Sequence, residues 1–363
     1  MLDEMDAGSQ TIDLLVEDLL FSPDLFLREL DQERRTATFI MMNRANYVRS
    51  SFLDDRAIRD NLSDYQLDLD ELLGVYESSA VRTHPVHYIF HMGFGCSTLL
   101  ARCLESVKGC FVLKEPLALH QLAAARSGID GAPDALRSWQ KTLRLAVSLL
   151  SKTYTPSDVV IIKADCAAVM DDLLDLHDES RGLFLYSEGP SFLVSILKSH
   201  ERREWVRRRL SESLRRAGRS GDGGSLLNAN VNHLSDAEAA GLFWLTQIFI
   251  YRKLQASYDS RLLALNGDEF VESPYEAISE VLKHLGLKGV GRRWFERACG
   301  GVLANHSKTP GIRYDRRARK QELETLFLTF KDELKRGEAF VNAMLDRLGW
   351  AEIVPRAPRQ KDY

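Results

Sequence analysis

The chain has 363 residues, 45% of them hydrophobic, which is ample for the core of one large domain with helical additions. A formal net charge of −4 and an isoelectric point of about 6.2 give no electrostatic reason to expect nucleic acid or an anionic membrane as a partner. The five cysteines, Cys96, Cys103, Cys110, Cys166 and Cys299, are odd in number and form no CxxC pair and no His-linked metal spacing. They argue against a disulfide framework, and no metal is called for.

Residues 1–80 are expected to form a helical N-terminal region. Apolar residues recur at helical spacing through Ile12, Leu15, Val16 and Leu19, and again through Leu62, Tyr65, Leu69, Leu72, Leu73 and Tyr76. The acidic start, MLDEMDAGSQ, lacks the basic opening and apolar run of a signal peptide. No apolar run reaches the roughly 18 residues a membrane helix needs, so a soluble, cytoplasmic protein is expected.

Pro85 marks a break, and short apolar runs rich in β-branched and aromatic residues follow. Strands are predicted at 87–91 (HYIFH), 110–113 (CFVL), 159–162 (VVII), 182–186 (GLFLY) and 261–265 (RLLAL). Helical patterns separate most of them, at 98–106, 135–151, 167–176 and 191–214, with another at 235–258. Strands alternating with helices predict a parallel sheet covered on both faces. Residues 218–224, GRSGDGG, read as a flexible loop. From about 290 the chain is helical and charged and ends in a polar tail, PRAPRQKDY. The expected organisation is therefore a helical region at 1–80, an α/β core at 81–290 and a helical region at 291–363.

The turn after the first core strand reads His91-Met92-Gly93-Phe94-Gly95-Cys96-Ser97-Thr98-Leu99-Leu100. A strand ends, two glycines allow tight backbone geometry, and two hydroxyl residues open a helix. Exposed N–H groups at a helix start favour a bound phosphate, and Ser97 and Thr98 add hydroxyl donors. The bland alternative is a strand–turn–helix corner without a ligand. The Walker pattern requires Gly-Lys-Ser/Thr, and this turn has no lysine, which speaks against an ordinary ATPase or GTPase.

These residues resemble the sulfotransferase family, whose phosphosulfate loop runs Gly-x-Pro-Arg/Lys-Ser-Gly-Thr-Thr-Leu-Leu. Gly95 to Leu100 resembles its second half, and the family's basic loop residue falls on Phe94. Ile162-Lys163-Ala164-Asp165 looks like the family's Lys-x-Pro segment. Leu183 to Tyr186, leading through Ser187 to Ser195, is similar to the strand and helix whose Arg and Ser hold the nucleotide's 3′-phosphate. Ser195 matches the serine, and Ser187 stands where the arginine is expected. Residues 265–274 and His284-Leu285-Gly286-Leu287 resemble the family's closing segment. The resemblance spans about 86–310. It implies a three-layer, P-loop NTPase-like α/β fold with a mainly parallel sheet, and 3′-phosphoadenylyl sulfate (PAPS) or adenosine 3′,5′-bisphosphate at Gly93, Phe94, Gly95, Cys96, Ser97, Thr98, Ser187 and Ser195.

The same resemblance makes Glu115 the candidate base, because several members carry a catalytic glutamate at about this distance from the loop. Its position after a strand puts it at the carboxyl edge of the sheet, where open α/β sheets bind ligands. A helix N-terminal carboxylate is the alternative. Lys163, after an apolar strand, can supply the positive charge missing at Phe94; the alternative is a solvated strand end. Lys114 can supply the same charge, or be only a surface neighbour of Glu115. His91 can donate to a phosphate or act as a base, or be a buried, hydrogen-bonded residue. Asp165 suits a metal-bound phosphate in a kinase-like reading. Lys308, with Arg313 and Arg316, falls where the family has a late basic loop over the nucleotide, or forms a solvated basic segment. The arginines of 200–219 interleave with Glu201, Glu204 and Glu212, which predicts an exposed, ion-paired helix. A lid over an anionic substrate is the second reading of that helix.

Two functions are therefore expected. One is transfer of a sulfuryl group from 3′-phosphoadenylyl sulfate to a hydroxyl or amine of a small-molecule or carbohydrate-like acceptor. The other is a divergent P-loop nucleotide-binding protein, kinase-like or non-catalytic and regulatory.

Overall fold

The structure is a computed structural model and describes residues 18–57, 64–79, 85–126, 128–129, 132–164, 169–219, 231–309 and 311–350. The fold is α/β. Its strands are β1 (Leu25–Asp31), β2 (Thr36–Met41), β3 (Asp64–Asp68), β4 (Val86–His91), β5 (Cys110–Lys114), β6 (Val159–Ala164), β7 (Gly182–Tyr186) and β8 (Leu262–Asn266). The central sheet has five strands in the order β5-β6-β4-β7-β8. β4, β5 and β7 are buried along their whole length, as strands covered on both faces must be. The five strands predicted from apolar runs are these five, within a residue or two at each end.

The chain divides into two compact units, residues 1–88 with 104–180 and residues 89–103 with 181–363. In the first unit, 25–68 departs from the helical expectation for 1–80. β1 and β2 pair antiparallel, as do β2 and β3, to form a three-stranded sheet. β2 (TATFIM) buries Ala37, Phe39 and Ile40, and its threonines and aromatic residue suit a pleated surface. The apolar stripe through Tyr65 and Tyr76 is cut at Asp68, whose carboxylate accepts from the N–H groups of Asp70 and Glu71 and starts the helix Leu69–Ser78. Ile12, Leu15, Val16 and Leu62 lie outside the described residues. β5 and β6 run parallel with Lys114 opposite Lys163, flanked in sequence by the helices Leu117–Arg126 and Pro133–Leu150.

In the second unit β7 and β8 run parallel. The single helix expected over 191–214 is two, Gly189–Leu197 and His200–Arg219. The first carries an almost unbroken apolar run, Phe192 to Leu197, and is buried nearly all round. The second has a polar face that must meet water, so the two cannot share one axis and one environment. It also takes in Gly218 and Arg219; the rest of the expected 218–224 loop lies outside the described residues. The helix Asp236–Tyr258 is buried over most of its length and opens with a reciprocal cap between Ser235 and Glu238. Arg292–Ala304, Arg316–Thr329 and Lys331–Leu348 are the C-terminal helices. Among the described residues no helix is long and apolar enough to cross a membrane.

Candidate anion-binding site

β4 ends at His91, whose Nδ1 accepts the Gly93 N–H at 3.2 Å. The chain then turns through left-handed backbone at Gly93 (φ 84°), Phe94 (φ 53°) and Cys96 (φ 68°) before the helix Ser97–Glu105 begins. Each non-glycine residue there costs roughly 1–2 kcal/mol, so packing must hold the turn in place. A Cβ on Gly93 would lie 2.7 Å from the Trp205 ring, and one on Gly95 would lie 2.9 Å from Ser187 Oγ. Glycine is required at both by close approach. Ser187 is fixed in turn, because its carbonyl accepts the Trp244 indole N–H at 2.9 Å. The Phe94 ring packs edge-on against Trp205, with centroids 5.1 Å apart, and Trp205 packs against Phe243.

This turn lines a cavity of about 550 Å³, wholly within the second unit. Phe94 to Leu99 form one wall, which includes the N-terminal end of the helix Ser97–Glu105. Five basic side chains, Lys198, Arg202, Lys308, Arg316 and Arg319, line the rest against three acidic ones, Glu272, Asp315 and Glu322. Three of the cations are bonded to carboxylates: Lys198 to Glu322 at 2.5 Å, Arg319 to Asp268 at 2.5 Å, and Arg316 to Glu272. Tyr314 donates its hydroxyl to Glu322 at 2.7 Å. Burial alone would raise the Glu322 carboxyl, but its bonds to Lys198 and Tyr314 and the charges of Lys198 and Arg202 bring it below its ordinary value.

Arg202 and Lys308 both lie close to the Phe94 ring. The Arg202 guanidinium lies 4.6 Å and the Lys308 ammonium 5.2 Å from the centroid of the Phe94 ring. Arg202 also donates from Nη1 to the Ser195 carbonyl at 2.7 Å. A cation on an aromatic face gains about 0.5–1 kcal/mol when exposed and ~2 or more when desolvated. Lys308 belongs to a tight loop in which Asn305 bridges to Arg313 and the His306 N–H reaches the Ile312 carbonyl at 2.7 Å. Arg102 Nε, donating to the Ser307 carbonyl at 2.7 Å, ties that loop to the helix Ser97–Glu105. Burial, then the charges of Lys308 and Lys198, push His306 below the ordinary imidazole range, so it is chiefly neutral at pH 7. Burial pushes the Cys96 thiol up and keeps it protonated.

Phe94, Gly95, Cys96, Ser97, Thr98, Ser195 and Lys308, all singled out from sequence, thus line one cavity. Gly93 and Ser187 support its wall from behind, and His91 braces the start of the turn. Arg316 joins the lining, whereas Arg313 is exposed and faces Asp315 at 3.5 Å. The Arg-rich helix is not simply a solvated one: Arg202 enters the cavity, Trp205 buttresses the turn, and Arg203 and Arg207 pair with Asp236. Lys198, Arg319 and Tyr314 were not singled out from sequence, and Arg202 stood only among the arginines of the helix read as exposed or as a lid. For Lys198 and Arg202 the available signal was their spacing from Ser195, three and four residues apart, which puts residues of one continuous helix on a common face. Here Ser195 and Arg202 come from two helices, and Lys198 lies in the turn between them.

Glu115 and Lys163 lie in the first unit, where they form a buried ion pair; their residues are 8% and 1% exposed. Arg56 approaches the same carboxylate at 3.7 Å and is held by Asp54, with its guanidinium 3.6 Å from the Phe52 centroid. Residues 52–56 are clamped at the end of β5, since the Leu53 N–H donates to the Lys114 carbonyl at 2.6 Å and the Leu117 N–H to the Leu53 carbonyl at 3.3 Å. Glu115 has left-handed backbone, φ 57°. Lys163 is not a solvated strand end, and Lys114 is not a surface neighbour. Lys114 is fully buried, 2.6 Å from Glu105 and 2.9 Å from the Tyr47 carbonyl. Both corrections have one cause: an ammonium at the end of a buried strand is tolerated only with a carboxylate beside it. Asp165 lies outside the described residues.

No family model matches the chain, and no curated protein matches it. Among solved structures, it is similar to a sulfotransferase domain from the curacin biosynthetic pathway at 12% identity and TM-score 0.40, over 76% of this chain and 100% of that one. A sulfotransferase from Mycobacterium avium matches at 11% identity and TM-score 0.37, over 73% and 82%. A retinol dehydratase in complex with retinol and PAP matches at 14% identity and TM-score 0.39, over 92% and 98%. Likeness at this level leaves function to the chain's own residues.

Proposed function

We propose that this protein binds adenosine 3′,5′-bisphosphate and its sulfuryl-bearing form, 3′-phosphoadenylyl sulfate, in the second unit, and transfers the sulfuryl group to a hydroxyl or amine. The observation that carries this reading is the cavity: the N–H end of the helix Ser97–Glu105 and five basic side chains surround one space of about 550 Å³. Helix-start N–H groups and hydroxyls suit one phosphate, and guanidinium and ammonium groups on the facing elements suit a second. Ser97 and Thr98 would hold the phosphate that bears the sulfuryl group. Ser195, Arg202 and Lys308 would hold the second phosphate, with Arg202 supplying the charge that Ser187 lacks.

In the transfer, the acceptor oxygen or nitrogen forms a bond to sulfur as the sulfur–oxygen bond to the nucleotide phosphate breaks. The bridging oxygen and its electron pair leave with the bisphosphate. The acceptor's proton passes to solvent. Positioning and charge stabilisation supply most of the acceleration in such transfers.

Titration calorimetry tests the reading. Adenosine 3′,5′-bisphosphate should bind at least tenfold more tightly than ATP with Mg²⁺. Tighter binding of ATP with Mg²⁺, or no heat from the bisphosphate with folded protein, overturns it in favour of a kinase-like or regulatory protein.

A further inference from the structure

The helix Arg316–Thr329 brings both signs of charge to the cavity. Arg316, Arg319 and Glu322 recur every three residues along it and all line the cavity, with Leu323 and Leu326 beside them. Its two arginines are bonded to carboxylates of the helix Gly267–Glu272, Asp268 and Glu272. Glu322 reaches other elements instead. Lys198, which closes the helix Gly189–Leu197, bonds one of its carboxylate oxygens at 2.5 Å, and the Tyr314 hydroxyl donates to the other at 2.7 Å. Burial lowers the Arg202 guanidinium below its ordinary value, opposed first by the charge of Glu322. Ammonium, guanidinium and phenol groups therefore act on one carboxylate, and these are the groups that recognise a phosphate.

Packing holds this carboxylate only lightly. The helix that carries it has no buried residue, and the side chains of Lys198 and Glu322 are 35% and 33% exposed. Ion pairs this exposed are weak and are screened by salt. A carboxylate carries one negative charge, whereas a terminal phosphate carries about two and has three acceptor oxygens. We propose that Glu322 is a specificity-determining residue, the resident counter-ion of the cavity: its carboxylate occupies the place of the second phosphate beside Lys198, Arg202 and Tyr314, and the bound nucleotide takes that place while Glu322 turns to solvent. This deepens the reading above and rests on it. An anion enters only if it outcompetes the internal carboxylate, which favours bisphosphates and pyrophosphate over singly charged anions.

The test is calorimetry with adenosine 3′,5′-bisphosphate, and with inorganic pyrophosphate as a second probe, on wild type, E322Q, K198M and E322Q/K198M. E322Q should bind each probe about fivefold more tightly than wild type, the gain expected when an exposed pair no longer has to open. Its melting temperature should stay within about 2 °C of wild type. On the K198M background there is no pair to open, so adding E322Q should gain about twofold or less. Simple repulsion of the anion by Glu322 would give the same gain on both backgrounds. A crystal structure of the pyrophosphate complex should show a phosphate oxygen on Lys198 Nζ and Glu322 no longer bonded to it. Unchanged or weaker binding by E322Q, an equal gain on the K198M background, or a larger fall in melting temperature overturns the exchange. If wild type binds pyrophosphate but not the bisphosphate, the nucleotide reading fails while the exchange is still judged on the pyrophosphate series. Binding by E322Q alone supports the exchange. If neither protein binds either probe, both readings fail.

Discussion

The ends of β5 and β6 and the cavity beside the Phe94 turn are built from the same side chains and use them in opposite ways. In the first unit the lysines that close β5 and β6 each meet a carboxylate: Lys114 meets Glu105, and Lys163 meets Glu115. Residues 52–56 are bonded over the strand end, and neither lysine is more than 1% exposed. In the second unit the cations outnumber the carboxylates and border open volume, and two of them rest on an aromatic ring. A buried charge requires its counter-charge within the fold. A charge bordering a cavity can await one from a ligand. The balance of charge, more than the number of basic residues, separates scaffold from receptor.

The sharpest way to break this comparison is to remove one partner of a closed pair. Lys114→Met leaves Glu105 without its ammonium, and breaking such a pair should cost about 3–5 kcal/mol of stability in denaturant titrations. Adding Glu105→Leu should recover most of that loss. If Lys114→Met alone is neutral, the pair is not structural, and the contrast with the cavity fails.

A smaller effect comes from a buried lysine with no carboxylate bonded to it. Lys152 donates to the backbone carbonyls of Leu19, at 2.9 Å, and Leu25, and burial lowers its pKa from 10.5 to about 7. Between these values the unfolded chain holds the extra proton, so rising pH favours the folded state. Below about 7 both states are charged and the burial penalty is fully present. Stability should therefore climb from pH 7 towards pH 10, by at most ~1.4 kcal/mol per pH unit from this group. Lys152→Met should flatten that climb; an identical slope in the variant would refute the assignment.

The smallest effect on stability belongs to the open site. Arg316 and Glu272 are 61% and 50% exposed in their side chains, and such pairs contribute about 0–1 kcal/mol. Arg316→Ala should leave the melting temperature within about 2 °C and weaken bisphosphate binding a few-fold. A large drop in stability would place Arg316 with the closed pairs.

Much of the core was legible in the sequence. Five apolar runs became five strands, because strands buried on both faces need continuous apolar side chains, and Gly93 and Gly95 marked the turn between β4 and its helix. The antiparallel strands at 25–68 were hidden, since helical spacing through Tyr65 and Leu69 runs across the break that Asp68 makes by capping a helix. Arg202 was hidden for another reason. Seven arginines between 202 and 216 look alike in sequence, and only the packing of Trp205 against Gly93 and Phe94 turns one of them into the cavity.

The sequence by itself determined the α/β class, the strand–turn–helix unit at 86–105 and the absence of a loop lysine, because local propensity, glycine geometry and apolar runs are short-range properties. Tertiary structure alone decided which charges are paired and which face open volume. Lys114 and Lys163 come opposite each other through strand register, and Arg202 and Lys308 meet on Phe94 across more than a hundred residues of chain. Charge pairing depends on distance in space, and only the folded chain sets that distance.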